Sequence, residues 1–189
     1  MFGGKMTDGT TRIRRLALSG VIAALYAALT IGTVFISFGP LQFRVAEALT
    51  VLPFFFPHSV WGVFVGVVVS NIFSPYGPLD IVIGSLATLI AALCTMRIGI
   101  INRDSFKLKV LACLPPVIIN AIAIGALIAW AYAGGGAAFW PAFVAFGLQV
   151  GLGQLGVLYI IGLPILHFLP GTPVYKLITN LYDGKSVRL

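Results

Sequence analysis

Long apolar runs constrain this chain more than any other feature. The stretch 16–37, LALSGVIAALYAALTIGTVFIS, holds no charged residue. A helix needs about 20 apolar residues to cross a bilayer, so this run is long enough to span. Five more runs follow at 43–57, 59–74, 79–96, 110–133 and 141–168. Between them stand turn and breaker signals: Phe38-Gly39-Pro40, Pro57, Ser74-Pro75-Tyr76-Gly77-Pro78, Gly134-Gly135-Gly136 and Pro170-Gly171. Lipid offers the backbone no hydrogen bonds, so each run must satisfy its own, which predicts helices. The expected fold is an all-α membrane protein, a six-helix transmembrane bundle forming a single domain over 1–189. The runs at 43–57 and 59–74 are short and need shelter from their neighbours or a thinned bilayer. Composition agrees, because 59% hydrophobic against 9% charged residues leaves too few charges to cover a water-facing surface.

Lys and Arg set the orientation. With the N-terminus inside, the inner segments hold Lys5, Arg12, Arg14, Arg15, Arg97, Arg103, Lys107, Lys109, Lys176, Lys185 and Arg188. Only Arg44 falls on the outer side. Six spans return the C-terminus to the cytoplasm, so both termini are expected there, in the plasma membrane of a prokaryote. The net charge of +7 therefore reads as topology and not as a nucleic-acid surface. The first run lacks a small-residue cleavage site and is expected to be a retained helix.

Catalytic and cofactor motifs are missing. Gly4-Lys5 has no Gly-rich loop before it, so no P-loop is expected. His58 and His167 are isolated. No His/Cys/Asp/Glu set has metal spacing, and no Ser/His/Asp set is evident. Cys94 and Cys113 form no CxxC and read as small buried hydrophobes. Neither an enzyme, a cofactor nor a metal is expected.

The remaining polar residues share an address. Arg44 and Glu47 open the second run at its outer end, Asn71 closes the third, Tyr76 lies in the outer loop and Asp80 opens the fourth. Trp140 and Gln149 lie in the outer part of the last run, with Asn120 and Gln154 deeper. Ionisable groups within spans usually face a bundle interior or cavity and mark function. Each residue also has a plainer reading. Arg44 and Glu47 suit an i, i+3 ion pair, and Asp80 suits a helix cap. Asn71 and Asn120 suit interhelical hydrogen bonds, while Tyr76 and Trp140 suit an aromatic belt. The shared outer location favours a pocket open to the outside. On the first run, Ala23, Ala24, Ala27 and Ala28 form small-xxx-small pairs that let another helix approach closely. They suit internal packing or a docking surface.

The segment FGPLQFRVAEALTVLPFF at 38–55 resembles the signature of the QueT family, substrate-binding S components of energy-coupling factor (ECF) transporters. The likeness extends through SNIFSPYGPLDIVIGSLATLIAA at 70–92 and the run ending YIIGLP. It implies capture of a vitamin-like substrate under the loops 38–42, 74–79 and 134–140, then toppling in the membrane. The implied partners are a transmembrane T subunit, docked on the alanine surface, and two cytoplasmic ATPases. The implied substrate is a queuosine precursor, a 7-deazaguanine base. Glu47 or Asp80 would accept from its edge, Tyr76 or Trp140 would stack on the ring, and Arg44 would hold Glu47 or donate to the carbonyl. Cobalamin is the alternative substrate, since Gln149, Gln154 and Asn120 suit its amides and Gly147, Gly151, Gly153 and Gly156 would widen a cavity. A solitary ion-coupled transporter and a ligand-free membrane scaffold are the rival classes.

Overall fold

The computed structural model describes residues 8–38 and 42–183. Among them there is helix and no strand. Helix α1 (Asp8–Gly32) leads through a short turn at Val34–Ser37 to a 3₁₀ helix at Val45–Phe54. Then come α2 (Ser59–Asn71), α3 (Asp80–Ile101), α4 (Phe106–Ala133) and α5 (Phe139–Gly171). A last amphipathic helix, α6 (Pro173–Tyr182), ends the described chain. Four helices are long and apolar enough to cross a membrane: α1, α3, α4 and α5. Val45–Phe54 and α2 are the two shorter apolar helices. Large side chains such as Val21, Phe35, Trp61, Ile90, Leu148 and Ile160 point outward, as a lipid-facing surface requires.

The second apolar run is wound as 3₁₀, not α. Ten residues at about 2.0 Å each span roughly 20 Å. The thirteen residues of α2, at about 1.5 Å each, reach the same length. In a 3₁₀ helix residues i and i+3 eclipse, so the segment has three faces. Ala48, Val51 and Phe54 form one face and pack with Ala112, Val117, Val157 and Leu158. Ala46, Leu49 and Leu52 form the second and pack with Ile22, Tyr26, Val63 and Val67. The third carries Glu47 and Thr50, whose hydroxyl donates to the Glu47 carbonyl at 2.6 Å. Burial on all three sides makes this segment the axis of the bundle. That is the shelter the short run needs.

Small residues let the other helices close around it. A Cβ on Gly66 of α2 would come within 2.7 Å of the Tyr26 Cβ and 2.9 Å of the Ala23 carbonyl. A Cβ on Gly125 of α4 would meet the Gly147 Cα of α5 at 2.6 Å. Helix pairs α1–α2 and α4–α5 thus pack backbone to backbone. Two wider π turns interrupt the long helices, at Asp80–Gly84 and Leu158–Gly162. Inserted π turns often sit at functional sites. The fourth span runs to Ile101, further than the polar loop at 97–109 suggests.

The bundle has two distinct ends. Arg12, Arg14 and Arg15 lie at the start of α1, and α6 returns there, where the Arg15 Nε donates to the Tyr182 carbonyl at 3.0 Å. Arg97 and Arg103 flank the end of α3, and Lys107 and Lys109 open α4. Connectivity puts the end of α1, the start of the 3₁₀ helix, the end of α2 and the start of α3 at the opposite end. Lys5, Lys185, Arg188 and the loop residues 39–41 lie outside the described residues.

Candidate functional site: a buried charged cluster

Arg44, Glu47, Asn71 and Asp80 come from three different elements and meet in the interior, each at most 5% exposed. Arg44 Nη1 donates to Asn71 Oδ1 at 3.2 Å, and the guanidinium lies over the Phe38 ring, 4.8 Å from its centroid. Arg44 stands 3.9 Å from Glu47 Oε1 and 4.0 Å from Asp80 Oδ2. Both are ion pairs beyond hydrogen-bond range. Asn71 Nδ2 donates to the Asp80 carbonyl at 2.9 Å, tying the end of α2 to the π turn. The expected i, i+3 pairing of Arg44 and Glu47 is present, but it is one edge of a larger network.

Glu47 is held on both oxygens. The Tyr26 hydroxyl donates to Oε1 at 2.6 Å, and Asn120 Nδ2 donates to Oε2 at 3.4 Å. Tyr26 and Asn120 reach it from α1 and α4, so five elements meet at the cluster. Asp80 differs. It is fully buried, yet among the described residues neither carboxylate oxygen accepts a hydrogen bond. It is the first residue of the π turn and its side chain makes no cap bond, so the capping reading fails. Gly84 leaves it room: a Cβ there would collide with Asp80 Oδ1 and come within 2.8 Å of Asn71 Nδ2.

Other polar atoms are also left open. Asn120 Oδ1, Gln154 Oε1, Gln149 Oε1 and Gln42 Nε2 have no hydrogen-bond partner. Leaving such groups bare costs about 1–3 kcal/mol each, so native proteins retain few of them. Gln42 is buried with φ of 45°. A non-glycine residue in the left-handed region is a point of strain, and such points gather at functional sites. Its amide comes up to the Tyr76 hydroxyl without a well-formed hydrogen bond. Tyr76 packs beneath against Ile124, Leu127, Ile128 and Val150 and stands within electrostatic reach of Asp80.

The sequence reading and the structure part company at several residues. Trp140 is 67% exposed and makes its ring contacts with Phe139 and Phe143, away from the cluster. Gln149 is half-buried and Gln154 buried on α5. Neither has a hydrogen bond to the charged groups. Ala23 packs on Gly66 inside the bundle, whereas Ala24 and Ala28 are exposed and Ala27 is half-buried. The glycines of α5 do not widen a cavity where their neighbours are defined. Gly147 packs on Gly125, a Cβ on Gly151 would touch the Ala121 Cβ at 3.4 Å, and one on Gly156 would meet the Phe43 ring at 3.0 Å. Tyr26 and Gln42 escaped the sequence reading. A tyrosine amid AALYAAL and a glutamine two residues before Arg44 were the available signals.

Fold and cluster together define an all-helical, membrane-type protein enclosing a charged polar site. A family model described as QueT transporter matches residues 16–170, and the chain belongs to that family. A curated relative from Lactococcus lactis subsp. cremoris (strain MG1363), named Queuosine precursor transporter QueT, is 37% identical over 89 residues. The match covers 46% of this chain and 50% of the relative, so the chain spans about half of that relative's length. No solved structure matches. Neither the family nor the relative names a corrinoid, and with the α5 glycines packed, the cobalamin alternative has no support.

Proposed function

We propose that this chain is the substrate-capture component of an ECF-type importer for a queuosine precursor, a 7-deazaguanine base. Family membership and the name of the Lactococcus relative support the substrate. One observation carries the site: Asp80 is fully buried with both carboxylate oxygens free of hydrogen bonds, inside an otherwise bonded cluster. A guanine-like edge presents N–H donors beside a carbonyl. The open acceptors Asp80, Asn120 Oδ1 and Gln154 Oε1 suit the donors, and the open Gln42 amide suits the carbonyl. Tyr76, in the loop that leads into Asp80, suits the ring. Arg44 and Glu47 act as the frame that holds the site, Glu47 being saturated by Tyr26 and Asn120.

In this reading the two shorter helices also cross the membrane, making six spans. The distribution of Lys and Arg supports both termini on the cytoplasmic side of a prokaryotic plasma membrane. The charged cluster then faces outward, beside the loop 74–79 that leads into Asp80. Ala24 and Ala28, exposed on α1 with Gly20 and Gly32 at the same four-residue spacing, offer a smooth face to a T subunit. Two ATPases complete the motor.

Reconstitution in liposomes tests this. The chain alone is expected to bind a 7-deazaguanine without accumulating it. With a T subunit and ATPases it is expected to accumulate it in an ATP-dependent way. Concentrative uptake by the chain alone would show a solitary ion-coupled transporter instead. No binding of any deazaguanine would remove the substrate assignment.

A further inference from the structure

The charged cluster does not balance. Among the described residues it holds one cation, Arg44, and two carboxylates, Glu47 and Asp80. The charged groups that bear on Arg44 are those two, with the Tyr26 phenol beside them. Gly39, Pro40 and Leu41 of the adjoining loop carry no ionisable side chain. With both carboxylates ionised, one negative charge is in excess in a buried, low-dielectric interior. An isolated buried carboxylate is costly unless something pairs with it. Geometry shows which one is less compensated: both stand near Arg44, at 3.9 and 4.0 Å, but Glu47 also accepts from Tyr26 and Asn120, while Asp80 accepts no hydrogen bond among the described residues. Arg44 itself spends a hydrogen bond on Asn71.

We infer that the substrate brings the missing positive charge and that Asp80 is its counter-ion. The site thus selects a 7-deazaguanine whose side arm ends in a protonated amine over one whose arm is uncharged. This inference rests on the proposed function and narrows its substrate. Division of labour follows. The amides of Gln42, Asn120 and Gln154 address the ring edge, and Asp80 takes the ammonium in a charge-assisted hydrogen bond. Such a bond is worth roughly 1.5–3 kcal/mol, so the expected preference is at least about tenfold.

The test is equilibrium binding of two probes to the purified full chain: 7-aminomethyl-7-deazaguanine and 7-cyano-7-deazaguanine. They share the bicyclic ring and differ in the charge of one arm. Wild type is expected to bind the amine at least about tenfold more tightly. Asp80→Asn is expected to erase that advantage, bringing the two within about threefold. Glu47→Gln also lowers the negative charge but leaves the Asp80 carboxylate in place, so it is expected to weaken both and to shrink the preference less than Asp80→Asn does. Equal affinities in wild type would mean that a proton on a carboxylate balances the charge, and would overturn the inference while leaving the proposed function standing. Preference lost in Glu47→Gln but kept in Asp80→Asn would overturn the assignment to Asp80. Failure of wild type to bind either probe would remove the proposed function and this inference with it. The wild-type comparison decides the matter even if a variant fails to fold.

Discussion

Two polar clusters sit at opposite ends of this bundle, and they are built differently. At the basic end, Tyr182 of α6 is fully employed. Its carbonyl accepts from Arg15, its ring lies under the Arg15 guanidinium at 4.6 Å, and its hydroxyl bonds the His58 ring at 2.6 Å. The Phe56 ring packs against it, and Phe55 and Phe56 both pack against Tyr175 of the same helix. Each group there has a partner that α6 itself supplies. At the other end, Arg44, Glu47, Asn71 and Asp80 form a frame with open atoms, among the described residues, at Asp80, Asn120 and Gln42. The first cluster fastens a helix and is finished. The second is more deeply buried, where open groups cost most, and is unfinished. A protein that tolerates this gains something other than stability, and the proposed substrate would complete such a site.

Substitutions break the comparison in graded ways. The largest effect is expected from Arg44→Ala, which leaves two buried carboxylates with no cation. Breaking a buried pair this way costs about 3–5 kcal/mol. Thermal unfolding in detergent should show a large drop, with ligand binding lost. Next comes Tyr26→Phe, which strips a donor from the Glu47 carboxylate and costs about 1.5–3 kcal/mol. Unfolding and binding should both weaken, since Glu47 anchors Arg44. Gly84→Ala sharpens the contrast. Its Cβ displaces the Asp80 carboxylate, so affinity should fall by about tenfold or more with a smaller change in unfolding. The smallest effect belongs to the other end. Tyr182→Phe removes the bond to His58 at an exposed edge, about 0.5–1 kcal/mol, and should leave binding untouched.

How much of this was legible in the sequence depends on the kind of signal. Helix placement was, because apolar runs and Gly/Pro punctuation report directly on lipid burial. So was the gathering of Arg44, Glu47, Asn71 and Asp80, because charges inside apolar runs have few places to go. The 3₁₀ winding of Val45–Phe54 was not. A row of apolar residues reads the same at three or at 3.6 per turn, and only packing on three sides decides between them. The difference between Glu47 and Asp80 was hidden too, since it depends on Tyr26 and Asn120 arriving from distant helices. Trp140 misled for the opposite reason. Aromatic residues near a membrane surface suit the interface as well as a ligand, and here Trp140 faces outward. The alanines of α1 split between inner and outer faces, which a pattern of consecutive small residues does not resolve.

The central claim is that Asp80 is left open for a ligand, at the expense of stability. Measuring unfolding and ligand affinity together on Asp80→Asn tests it most directly. Asp80→Asn leaves Arg44 balanced by Glu47, so the empty protein should stay at least as stable as wild type, while affinity for an amine-bearing 7-deazaguanine falls by about tenfold or more. A variant that unfolds more easily yet binds that ligand as tightly as wild type would show that Asp80 is part of the scaffold, and would contradict the account.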